Sequence, residues 1–184
     1  MKTLIAVLLL TLAACGETPE PVSPTAMAQT PVDDPEVARA DVGRVLDAFH
    51  LAASRADGPA YFALFAPEGV FIGTDAAERW RVPEFRAYAE PHFAKGKGWT
   101  YRPRTRHFQS RHACPNVVWF DELLDSESYG TSRGTGVLVR GAGGWKVAQY
   151  ALTFPIPNDL AKEFTGRIKA HEAGARTGAA VTAP

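Results

Sequence analysis

The hydrophobic period of this chain changes once, near Trp99, and that change decides the class of fold open to it. Before Trp99, apolar residues recur at spacings of three and four: Val42, Val45, Leu46, Phe49 and Ala53 draw one stripe along a helix. Asp33-Asp34-Pro35-Glu36 is a helix start, with acidic caps and a proline in the first turn. Asp57-Gly58-Pro59 stops that helix and begins a second. Val70-Phe71-Ile72 is a short strand, and a third helix starts near Val82-Pro83-Glu84 and closes at Lys95-Gly96-Lys97-Gly98. After Trp99 the period becomes two. Four extended segments follow, the last three at Asn116–Asp125, Thr131–Arg140 and Trp145–Pro155, and Gly141-Ala142-Gly143-Gly144 is a hairpin signal. Segregated helices and antiparallel strands predict an α+β domain whose sheet buries one face beneath the helices.

The predicted domain occupies residues 35–165 of 184, and its flanks are of another kind. Residues 1–14 open with Lys2 and continue as a short apolar run from Leu4 to Ala14. That run is too short to cross roughly 30 Å of hydrocarbon as a helix, and it has the form of an export signal. Leu12-Ala13-Ala14-Cys15 resembles the lipobox of bacterial lipoproteins. The resemblance implies cleavage before Cys15, lipidation of its sulfur, and a domain held in the periplasm at the cell envelope, with Gly16 compatible with outer-membrane sorting. Ordinary secretion with Cys15 left as a terminal thiol is the alternative. Residues 15–34, interrupted by Pro19, Pro21, Pro24 and Pro31, read as a tether. A short helix is expected to end near Phe164, and residues 166–184 read as a flexible tail.

Twenty Lys and Arg balance twenty Asp and Glu, which argues against nucleic acid as a partner, since neutralising phosphates needs a cationic excess. Cys15 and Cys114 are the only cysteines, too few for a disulfide scaffold or a multi-cysteine zinc site.

Across the domain, ordered blocks resemble a known family. Phe71-Ile72-Gly73-Thr74-Asp75, Glu78-Arg79-Trp80, Phe85, Tyr88 and Lys95-Gly96-Lys97-Gly98-Trp99 form the first block. Trp119-Phe120-Asp121-Glu122, Tyr129-Gly130, Arg133-Gly134-Thr135-Gly136-Val137-Leu138, Trp145-Lys146-Val147 and Pro155-Ile156-Pro157-Asn158 form the second. Both are similar to SnoaL-like domains of the nuclear transport factor 2-like superfamily. The resemblance implies a cone: a strongly curved sheet wrapped around three helices, with a pocket at the open end, commonly in a homodimer. It supplies no catalytic motif to carry across, because the superfamily joins isomerases, dehydratases, cyclases and epoxide hydrolases to members without a known reaction.

Strand alternation nominates the pocket lining. With Gly141–Gly144 as the loop, Arg140 pairs with Trp145 and Thr135 lies opposite Tyr150. With Asp121 opposite Thr135, one face collects Trp119, Asp121, Arg133, Thr135, Val137, Ala148, Tyr150 and Leu152. That mixture of aromatics with a few polar groups suits a ligand pocket. Trp80, Trp99, Tyr101, Trp119, Arg133 and Tyr150 are therefore the candidate ligand-binding residues. Asp121 is a candidate base tuned by Arg133, or else half of a structural ion pair with it, and His107 is the candidate acid–base group among the five histidines. The opposite face, with Val118, Phe120, Leu138 and Val147, is left free for a partner. Arg102, Arg104 and Arg106 read as a solvated row, and Gly134 and Gly136 as points of strand curvature. No cofactor or metal is expected, since no further ligands lie at suitable spacing around His107 or His112. Three functions remain open: binding of a small, partly apolar molecule, acid–base catalysis on such a molecule, or a dimerising envelope module.

Overall fold

The computed structural model describes residues 35–111 and 113–181; the segments expected to be an export signal and a tether, with Cys15, and His112 lie outside them. Three helices come first or nearly so: α1 (Pro35–Ser54), α2 (Gly58–Ala63) and α3 (Val82–Phe93). On α1 the buried residues Ala38, Val42, Leu46, Phe49 and Ala53 follow the predicted stripe. Asp57 caps α2 by accepting a hydrogen bond from the Ala60 N–H at 3.0 Å. At the start of α3 the Glu84 carboxylate accepts the Arg81 N–H at 2.8 Å.

Six strands form one curved, unclosed sheet: β1 (Phe65–Ile72), β2 (Arg79–Arg81), β3 (Arg102–Arg111), β4 (Cys114–Ser126), β5 (Gly130–Gly141) and β6 (Gly144–Thr153), in the order β2-β1-β6-β5-β4-β3. β3 to β6 are an antiparallel meander, while β1 joins β6 in parallel and places Phe71 beside Tyr150. The predicted α+β cone is what the chain forms. Strand β2 and the reach of β1 back through Ala66-Pro67-Glu68-Gly69 are additions to the predicted elements. So is the length of the last helix, α4 (Ala161–Val181), which runs on well past Phe164.

Two register findings decide which side chains meet the helices. The pairs Arg140↔Trp145 and Asp121↔Thr135 are as expected. Ala148, however, is an extra residue between Val137↔Gln149 and Leu138↔Val147, so Thr135 faces Ala151 rather than Tyr150. The bulge turns Tyr150 and Leu152 onto the same side as Trp145 and Val147. That side, not the one nominated for the pocket, is the buried one. Val118, Phe120, Leu124, Leu138 and Val147 are at most 4% exposed against α1 to α3. The physical reason is that this row is the more apolar of the two, and burial of apolar area selects which face the helices cover. The face expected to be free for a partner is therefore the core.

Candidate functional site

The mouth of the cone is walled by aromatic rings. Glycine sets one side of it: a Cβ on Gly98 would overlap the Ala53 carbonyl at the end of α1, and this close crossing brings Trp99 against Phe93 and Tyr61. Phe71, Trp80, Phe85, Tyr88, Trp99, Tyr101, Tyr129, Leu152 and Phe154 line a cavity of about 250 Å³, with Gly73, Thr74 and Glu78 as its polar edge. Five rings on one wall stack nearly parallel from the mouth inward. Tyr88, 46% exposed, lies 4.8 Å from Trp80; Trp80 is 5.6 Å from Phe85, Phe85 4.0 Å from Phe71, and Phe71 5.9 Å from Tyr150. No interplanar angle in this series exceeds 21°.

Below the cavity a recess of about 10 Å³ shares Phe71, Trp99, Tyr101 and Leu152 with it and adds Phe49, His50, Ala53, Tyr61 and Tyr150. Beneath the recess sits Glu122, fully buried on β4. Its Oε1 accepts from the Tyr150 hydroxyl at 2.9 Å and lies 2.7 Å from His50 Nε2. Its Oε2 accepts from Arg106 Nε at 2.8 Å, and Arg106 Nη1 continues to Asp47 at 2.9 Å on the surface of α1. Burial pushes the Glu122 carboxyl up, but the hydrogen bond and charge of His50 together with Arg106 outweigh it and hold the group below the usual glutamate range. Glu122 is thus an ionised acceptor, and His50 donates to it from Nε2. Burial, reinforced by the Glu122 charge, pushes the Tyr150 hydroxyl well above the ordinary tyrosine range.

Gly134 makes this arrangement possible. It faces Glu122 across the β4–β5 ladder, and a Cβ there would overlap the Tyr150 hydroxyl and crowd Glu122 Oε1. The glycine is the space that the phenol occupies, a more specific role than curvature.

The nominated residues divide between the two faces of the sheet. Trp80, Trp99 and Tyr101 line the cavity, and Tyr150 lines the recess. Trp119, Asp121, Arg133 and His107 belong to the outer face. Trp119 donates its indole N–H to Gln109 at 2.6 Å, His107 stands opposite Asp121, and Arg133 pairs with Leu123 rather than meeting Asp121. The Arg102–Arg104–Arg106 row is only partly solvated: Arg104 pairs with Asp125, and Arg106 turns inward to Glu122. His50, Tyr61, Arg106 and Glu122 carry the floor of the site without having been nominated. For Glu122 and His50 the signal was present in the pattern. Glu122 is a carboxylate in an otherwise apolar row with Val118 and Phe120, and His50 extends the Val42–Leu46 stripe of α1 by one turn. Among the described residues no cluster of three or more His, Cys, Asp or Glu is placed to hold a metal.

Residues 42–157 match the family model of the SnoaL-like domain. The chain belongs to the SnoaL-like family. Solved structures agree in fold. An NTF2-like protein of unknown function from Pseudomonas putida KT2440 shares 16% identity, with 68% of this chain and 92% of that one covered at a TM-score of 0.56. A proposed dehydratase of the NTF2-like family from Streptomyces avermitilis shares 14% identity over 67% of this chain and all of its own, with a TM-score of 0.57. A proposed scytalone dehydratase from Novosphingobium aromaticivorans shares 9% identity over 66% and 86%, with a TM-score of 0.56. No curated protein matches the SnoaL-like chain in sequence. At such identities the solved structures speak for the cone alone, and the chemistry must come from the site.

Proposed function

We propose that this SnoaL-like domain binds a small, flat, largely apolar molecule in the mouth of its cone. The observation that carries the reading is the ladder of near-parallel rings from exposed Tyr88 through Trp80, Phe85 and Phe71 to buried Tyr150. A flat molecule laid along such a wall gains ring stacking on top of apolar burial, and the cavity lies at the small end of ligand-pocket sizes. The test is a ligand-dependent rise in melting temperature across a library of small aromatic compounds. Trp80→Ala is expected to abolish the rise and Trp119→Ala, on the outer face, to leave it. A rise that survives Trp80→Ala overturns the assignment.

A specific feature favours a second reading, acid–base catalysis on the same ligand. His50, hydrogen-bonded to an ionised carboxylate that is itself held by Arg106, is an imidazole with a fixed orientation. The similarity in fold to proposed dehydratases is consistent with this and adds no residue-level support. In this reading His50 moves the proton and Glu122 positions it. Loss of turnover in His50→Gln with retention in His107→Gln supports the catalytic reading, and the reverse outcome restores His107.

The same proposal places the domain outside the cytoplasm on an acyl anchor at Cys15. Among the described residues no helix is long and apolar enough to cross a membrane. Radiolabelled fatty acid should enter the wild-type chain and not Cys15→Ser. A homodimer would use the convex face, where Trp119, Leu123, Val137 and Val139 are only half-buried, and light scattering decides it.

A further inference from the structure

The recess beneath the cavity contains a hydroxyl whose proton the fold leaves without an acceptor. Tyr61 is 0% exposed, and its O–H finds no acceptor in the fold, although the Trp99 indole N–H lies close enough to its oxygen to act on it as a donor. A buried hydroxyl left in this state is destabilising, and native structures seldom keep one without a use. Tyr61 shares the recess with His50 and Tyr150, whose other polar commitments are fixed. Tyr150 gives its proton to Glu122, so its oxygen keeps lone pairs to accept with. The recess thus offers a donor in Tyr61 and an acceptor in Tyr150. Its volume of about 10 Å³ is near the room that a single water-sized group needs.

The charges around it select further. No Lys or Arg lines either the cavity or the recess. Glu78 lies on the cavity edge, and Glu122 lies directly below the recess. The positive groups of this neighbourhood are already engaged: Arg106 is shared between Glu122 and Asp47, and His50 is bonded to Glu122. An anion entering here would lose hydration and gain no counter-charge.

We infer that the recess is a subsite for one neutral hydroxyl group on the flat ligand, accepting from Tyr61 and donating to Tyr150, with Tyr61 as the residue that determines this specificity. The inference rests on the cavity reading above and names which ligands within it are preferred. Uncharged aromatic alcohols fit; aromatic carboxylates, and ethers that only accept, do not.

Four probes of one ring system test it: naphthalene, 2-naphthol, 2-methoxynaphthalene and 2-naphthoate, titrated against the tryptophan fluorescence of the purified full chain. For wild type, 2-naphthol is expected to bind about tenfold more tightly than naphthalene or the ether, and 2-naphthoate the most weakly. In Tyr61→Phe the preference for 2-naphthol over naphthalene should collapse toward unity. The same variant loses a buried hydroxyl whose proton has no acceptor, so it should melt within a few degrees of wild type, which separates specificity from folding. A 2-naphthol preference that persists in Tyr61→Phe, an ether that binds as well as the alcohol, or 2-naphthoate as the tightest probe overturns the subsite and leaves the cavity reading standing. If none of the four perturbs the fluorescence, the cavity reading falls and the subsite falls with it.

Discussion

Asp121 and Glu122 are consecutive carboxylates on one strand, and they live in different solvents. Glu122 points into the cone, is fully buried, and is held by His50, Tyr150 and Arg106. Asp121 points out, half-exposed, beside Thr135 and His107 on the neighbouring strands. Pleating alone separates them. The comparison teaches that in a one-layer curved sheet the chemical weight of a polar residue is set by its parity along the strand. A buried charge must be paired and hydrogen-bonded or it does not persist, whereas a solvated one is free of that demand.

The largest effect expected from this difference is on stability. Glu122→Ala removes the counter-charge of buried Arg106 and the acceptor of His50 and Tyr150 together, and should destabilise by about 3–5 kcal/mol in urea unfolding. A loss below about 1 kcal/mol would mean that water reaches the cluster and that the two carboxylates are more alike than their burial implies.

Gly134→Ala is next. The added methyl overlaps the Tyr150 hydroxyl on the concave side, with an expected cost of about 1–3 kcal/mol. Removing that hydroxyl relieves the overlap, so Gly134→Ala combined with Tyr150→Phe should be less destabilised than the sum of the two single variants. Strict additivity would show that the glycine serves strand curvature alone.

How far this site is legible before coordinates depends on parity as well. The change of period at Trp99 is strong because it extends over whole segments, and it yields the helices, the meander and the pairs Arg140↔Trp145 and Asp121↔Thr135. The cone itself was carried by the resemblance of ordered blocks, not by any single spacing. Two things escaped. Ala148 bulges, and nothing in Lys146-Val147-Ala148-Gln149 announces an extra residue, so the faces of Tyr150 and Leu152 invert. The second is the choice of face: polar residues were sought on the mixed row with Asp121 and Arg133, although helices cover the apolar row. Once that row is known to be inside, Glu122 within it is conspicuous. His50 and Arg106 follow as groups that could satisfy it, one from the α1 stripe and one directly opposite on β3. Tyr61 had no such signal, since a buried tyrosine among phenylalanines reads as packing.

Acid sharpens the comparison further. The folded Glu122 carboxyl titrates below its unfolded value of about 4.3, so its contribution is fully present above that value and is lost as pH falls through the folded one. The stability difference between wild type and Glu122→Gln should therefore shrink by on the order of 1 kcal/mol as pH is lowered from 7 to below about 4. A difference independent of pH across that range would mean that the carboxyl titrates alike in the folded and unfolded chain, and one that grows as pH falls would mean that Glu122 is neutral in the folded protein and that His50 is not held by an anion.

The smallest effects belong to the convex side, and they are the most discriminating. Asp121→Asn and His107→Gln alter polar groups that stand opposite each other on β4 and β3, and neither is buried. Each should change stability by no more than about 0.5 kcal/mol and leave the melting shift from a bound aromatic compound unchanged. Their value lies in what a larger response would require. No path of contact runs from these side chains to the cavity except through the strand itself. A diminished ligand response in either variant would thus mean that β4 rotates on binding and couples Asp121 to Glu122 through their shared backbone. The two faces would then be one site read from both sides, rather than a working face and a solvated one.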